Sequence, residues 1–97
     1  MALRLSRHLR ERMQLRAIPE GLPETVYLEA DSHFSDTETG WLVAVKRLLF
    51  LGRERDMALS YTKRGEDVLL VTLHPLQEGQ RERRIQSGRW TPYEPEG

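Results

Sequence analysis

Three apolar runs in the second half of the chain, separated by glycine-containing turns, constrain its fold more than any other feature. From Trp41 to Leu51, Val43 and Val45 alternate with Leu42, Ala44 and Lys46, which is the two-residue period of a strand. Met57, Leu59 and Tyr61 alternate with Ala58, Ser60 and Thr62, the pattern of a half-buried strand. Val68 to Leu73 is apolar on both faces, as expected of a strand covered on two sides. Gly52-Arg53-Glu54-Arg55-Asp56 and Lys63-Arg64-Gly65-Glu66 are the predicted turns, with Gly65 in the position that tolerates positive φ. His74-Pro75 is expected to end the third strand, because proline cannot donate to a central ladder.

The first half has a different period. Leu5, Leu9, Met13 and Ala17 recur every four residues, predicting a helix over residues 3–17 with Ser6 as an early cap. Ile18-Pro19 ends it, since the residue before proline is pushed out of the helical region. Pro23 and Glu24 suit the first turn of a second helix, from about Pro23 to Ala30, that buries Leu22 and Val26. Asp31 to Gly40 is polar and turn-rich, with a brief strand around His33 to Ser35. The resulting fold class is α+β, with two amino-terminal helices packed on one face of a three- to four-stranded antiparallel sheet. The core is expected to span about residues 3–75. Residues 76–97 read as a polar, arginine-rich extension, with one or two helical turns over Gln80 to Gln86 and a frayed end.

Ninety-seven residues suffice for one core and no more, so a single domain over 1–97 is expected. Fifteen basic and fifteen acidic side chains cancel, which gives no global attraction to nucleic acid or membrane. The cancellation is blockwise: residues 1–16 carry a net +4, 17–40 a net −6, 41–65 a net +4 and 66–97 a net −2. If the first and third blocks face the same way, they make one basic patch; they could equally neutralise the acidic blocks. The absence of cysteine removes disulfides, thiolate zinc sites and cysteine nucleophiles. No apolar stretch is long enough to span a bilayer, and the amino terminus lacks the apolar core of a secretory signal. A soluble, cytoplasmic protein without membrane association is expected.

Three groups of residues could carry chemistry. His8, Arg12 and Arg16 are spaced by four and share a helical stripe, where a histidine between guanidinium groups could bind phosphate or exchange a proton beside one. The alternative is a solvated helix face with arginine stems lying on the sheet. Lys46, Arg47, Tyr61, Thr72 and His74 lie on the predicted strands and could converge at one rim, but a one-residue slip in register reverses every face. Arg81, Arg83, Arg84 and Arg89 surround Trp90, a set suited to gripping phosphate and stacking on a base. Trp90 could instead fold back on the core, with the arginines paired to Glu78 and Glu82. His33-x-x-Asp36, with Asp31 nearby, has ligand-type residues without diagnostic spacing. No metal and no cofactor are expected.

The order of motifs resembles a known group. His8-x3-Arg12-Met13-x2-Arg16-x-Ile18, an acidic short helix, Asp36, and strands ending in Val71-Thr72-Leu73-His74-Pro75 resemble a small domain family of unknown function. That family lies near the BrnT toxins in the broad RelE/ParE toxin superfamily. The tail Arg83-Arg84-Ile85-Gln86-Ser87-Gly88-Arg89-Trp90 looks like endings seen in such proteins, so the resemblance covers about residues 6–90. It implies two helices against an antiparallel sheet and, for the toxin branches, RNA cleavage with an antitoxin covering the active surface. The chain reads as lacking the amino-terminal strand typical of RelE and BrnT proteins.

Two functions follow as expectations. The first is a metal-independent endoribonuclease of toxin type, in which the RNA supplies its own 2′-hydroxyl nucleophile. His8 or His74 would be base or acid, Lys46 and Arg12 would stabilise charge, and Arg16, Arg47, Tyr61, Arg81, Arg83, Arg84, Arg89 and Trp90 would hold RNA. The second is a non-catalytic module of the same fold that binds RNA or a protein. In that case an antitoxin-like partner or a second copy would cover the sheet face that two short helices leave open.

Overall fold

The computed structural model describes residues 1–95. Its elements in chain order are β1 (Leu3–Leu5), α1 (Arg7–Arg16), α2 (Leu22–Leu28), β2 (Ser32–Asp36), β3 (Leu42–Phe50), β4 (Arg53–Arg64), β5 (Asp67–Pro75), α3 (Gln80–Gln86) and β6 (Trp90–Pro92). The six strands form one sheet in the order β1-β5-β4-β3-β2-β6. β1 runs parallel to β5, and the remaining neighbours are antiparallel. This corrects the expected three- to four-stranded antiparallel sheet with two amino-terminal helices: the sheet has six strands and is mixed, and a third helix lies near the carboxyl end.

The extra strands have local causes. Leu3 and Leu5 alternate with exposed Arg4, so residues 3–5 follow a strand period and pair with Val68–Leu70. The amino-terminal strand expected to be missing is therefore present. Ser6 makes the break, with extended backbone and its Oγ accepting from the Leu9 N–H, the usual N-cap geometry. Ala17 closes α1 in the left-handed region, and its N–H donates to the Met13 carbonyl. β4 begins at Arg53 because Leu51 and Gly52, both at positive φ, complete the turn alone. Residues expected in that turn pair instead with β3. β5 runs through Pro75, which the ladder tolerates because β1 pairs only as far as Leu70 and leaves one side of the strand open.

The sheet buries a cluster on each face. Leu9, Val26, Tyr27, Ala44, Leu59, Tyr61 and Leu70 pack between the sheet and helices α1 and α2. Phe34, Val43, Val45, Ala58, Leu76 and Trp90 form the second cluster. The carboxyl-terminal segment thus covers much of the second face itself, since β6 pairs with β2 and Trp90 is 1% exposed. The expected boundary at residue 75 does not separate a core from an appendage.

β5 contains one irregularity with consequences for chemistry. Tyr61 pairs with Leu70 but Ser60 pairs with Thr72, so Val71 is an extra residue opposite one position of β4. Such a bulge changes which face later side chains occupy. Leu70 and Leu73 both enter the helix-side core, while Thr72 and His74 join Ser60 and Ala58 on the other face.

No helix of the described residues is long and apolar enough to cross a membrane.

Candidate functional site

Two clefts meet on Thr72 and His74. One, of about 220 Å³, lies between α1 and β5 and is lined by His8, Leu9, Arg12 and Leu73 in addition to the shared pair. The other, of about 260 Å³, lies on the second sheet face with Val43, Ala58 and Ser60 on its floor. Trp41, Arg84, Arg89 and the edge of Trp90 wall it. Two candidate groups from opposite ends of the sequence, the α1 stripe and the end of β5, thus come together.

Asp36 organises the wall. It is 4% exposed and accepts from five N–H groups. The Glu38 and Thr39 backbone amides and Arg89 Nε reach Oδ1 at 2.9, 3.2 and 3.1 Å, while Arg89 Nη2 and Trp90 Nε1 reach Oδ2, each at 3.2 Å. Burial alone would raise this carboxyl; the donors from Arg89, Glu38, Thr39 and Trp90 outweigh it and hold the group below its usual range. A buried carboxylate stays charged only when its lone pairs are satisfied in this way. The carboxylate is matched by the indole N–H and by Arg89, which also pairs with Glu38 at 3.5 Å.

His74 is half-buried, and its basicity is lowered by burial and then by Arg84, Arg89 and Arg16. It therefore remains a neutral imidazole below the ordinary histidine range near 6.5, with a lone pair free to take a proton at neutral pH. Arg84 stacks over Trp90 at 5.2 Å, and none of the ion pairs among the described residues involves Arg84, Arg12 or Arg16. Arg16 is exposed and borders a neighbouring apolar cleft with Ile18 and Phe50. A base of lowered proton affinity beside guanidinium groups, of which Arg89 is paired with Asp36 and Arg84, Arg12 and Arg16 form no ion pair among the described residues, can hold a phosphate.

The other candidates stand elsewhere. Lys46 occupies the helix side of β3, opposite Met57, 3.6 Å from Glu29; it is on the wrong face to act with His74. Tyr61 is wholly buried, its hydroxyl is 2.8 Å from His33 Nδ1 and its ring meets Tyr27 edge-on. Burial pushes its phenol up, with Tyr27 and Tyr93 adding to the effect. It is a core residue and offers RNA no surface. Trp90 stacks on Phe34 at 5.1 Å and is likewise core, so its face is closed to a base. Arg47 pairs with Asp56 and Glu78. Arg81 is held by Asp31, Asp56 and the Ser32 hydroxyl. Arg83 is exposed and bonds the Glu78 carbonyl; none of these three lines either cleft.

His33 and Asp36 differ by an odd number of positions along β2 and so project to opposite faces. No group of three or more His, Cys, Asp or Glu able to hold a metal occurs among the described residues.

Trp41 and Ser60 also line the sheet-face cleft, and neither is among the residues that the sequence marks for chemistry. Their alternation with Leu42 and Tyr61 was a usable signal once those neighbours were assigned to the helix side. Comparison of the chain with protein-family models, curated proteins and solved structures yields no match. None of these comparisons identifies a relationship to RelE/ParE or BrnT-like toxins.

Proposed function

We propose that this chain is a metal-independent endoribonuclease of toxin type whose reaction centre is His74. The observation that carries it is a half-buried His74 at the junction of two clefts, beside Arg84 and Arg12, neither of which forms an ion pair among the described residues. His74 takes the proton of the 2′-hydroxyl, the 2′-oxygen bonds to phosphorus, and the bond to the 5′-oxygen breaks. Arg84 and Arg12 balance the added charge on the phosphoryl oxygens. His8, exposed on the facing helix, returns a proton to the leaving oxygen. General acid–base assistance of this kind is worth about 10²–10⁴-fold.

The test is induction of the chain alone in a bacterial host, beside His74→Ala and His8→Ala. Growth arrest with fragmented RNA, lost in the folded His74→Ala protein, is expected. Normal growth and intact RNA at good folded expression would remove the proposal.

A second reading, a non-catalytic module that docks an antitoxin-like protein or a second copy, is favoured by one observation. Leu49 and Leu51 at the β3–β4 turn are 68% and 73% exposed, more apolar surface than a turn needs. In that case His74→Ala changes nothing, and Leu49→Ser with Leu51→Ser abolishes partner binding.

A further inference from the structure

Three features bear on what the site holds, given the ribonuclease reading, on which the inference rests. The first is that the clefts are distinct yet share Thr72 and His74, so a phosphate at the shared pair has a separate pocket on either side. The second is their similar size, about 220 and 260 Å³, with Val43, Ala58 and Ser60 as the floor of one and helix-borne His8 and Arg12 in the other. The third is Trp41. It sits one residue before β3, on the same side as Val43, and is half-buried where Trp90 is closed off. Its backbone is fixed by two bonds: its carbonyl accepts from the Asp36 N–H, and its N–H donates to the Thr39 hydroxyl. A tethered indole on a sheet face beside arginines is a platform for a base, and a base reaches it only when unpaired from a complementary strand.

We propose that the ligand is single-stranded RNA bound as two successive nucleotides, one base on Trp41 in the sheet-face cleft, its neighbour in the His8–Arg12 cleft, and the phosphate between them on Thr72 and His74. Trp41 is then the residue that sets strandedness and affinity on one side of the reacting phosphate. Asp36 serves it indirectly, by anchoring the loop that presents the ring.

The experiment measures binding of a short single-stranded RNA with a 2′-O-methyl sugar at each position, which cannot be cleaved through the 2′-oxygen, by tryptophan fluorescence and by calorimetry. Nucleoside monophosphate and a duplex of the same sequence are the comparison ligands, and Trp41→Leu, Trp41→Phe and His74→Ala are the variants. Expected is binding of the single strand, at least tenfold weaker binding of mononucleotide and duplex, and a loss of about 5- to 100-fold in Trp41→Leu. Trp41→Phe, which keeps a ring, recovers most of that loss and guards against a folding defect. Equal affinity of Trp41→Leu and wild type, or of duplex and single strand, overturns the two-nucleotide site while leaving His74-dependent cleavage intact. Failure of the wild-type chain both to bind and to cleave any single strand would instead overturn the ribonuclease reading, and this inference with it.

Discussion

At the scale of single residues, His74 and Asp36 are opposite solutions to burial. His74 lacks an acidic partner in its cleft and is kept neutral, whereas Asp36 is surrounded by donors and kept charged. Activity should therefore persist below the ordinary histidine range near 6.5, because the basic form survives to lower pH. Arg84→Gln removes one of the charges opposing protonation, so the acidic limb of the rate profile should move upward while the rate drops roughly 10²–10³-fold. A pH–rate profile of both proteins reads the two effects together. Asp36→Ala leaves the Trp90 and Arg89 donors without their acceptor in a nearly closed site. It should cost about 3–5 kcal/mol, measured by urea unfolding.

At the scale of elements, the decisive features are the cap at Ser6 and the bulge at Val71. Ser6 bonds both the Leu9 amide and the Val71 carbonyl, joining the start of α1 to the strand that carries His74. Ser6→Ala should cost about 1 kcal/mol in thermal or chemical unfolding and loosen the His8 side of the junction. The strands β3 and β4 were legible in the sequence because Val43 and Val45, and then Met57, Leu59 and Tyr61, alternate with a two-residue period, and β5 because Val68 to Leu73 is a short run apolar on both faces. β1 was not, since Leu5 fits the four-residue period of Leu9 and Met13 as well as the two-residue period of Leu3. β6 was not, because Trp90-Thr91-Pro92 has no period at all and pairs only through the Asp36 strand. The site was half legible for a related reason. His8, Arg12 and His74 could be named by residue type, but the bulge, which turns His74 to the face away from α1, has no signal in the sequence. Lys46, Tyr61 and Trp90 were misassigned because side-chain chemistry says nothing of the face a strand presents.

At the scale of the whole molecule, two histidines with lowered basicity, His33 and His74, link folding to pH. The unfolded chain binds protons at these positions more readily than the folded one, so stability should fall as pH drops through and below 6.5, the reverse of a histidine paired with an acid. Asp36 acts at lower pH: its folded value lies below 3.8, so its contribution is present above that and lost as pH falls through the depressed folded value. Melting temperature followed from pH 7 to 5 should decline, with a shallower decline in His74→Gln. The balanced net charge hides a local asymmetry, in which Asp31, Asp56 and Glu78 neutralise Arg47 and Arg81. The guanidinium groups of Arg12, Arg16 and Arg84 are left around His74. The proposed RNA binding rests on that local asymmetry rather than on overall charge.

Cleavage at His74 without a metal is put to the test by incubating the purified chain with a defined single-stranded RNA in the presence of a strong metal chelator and identifying the product ends by mass spectrometry. Fragments ending in 2′,3′-cyclic phosphate are expected, formed by the wild-type protein and at least ~10²-fold more slowly by His74→Ala. Intact RNA, or equal cleavage by the two proteins, would contradict it.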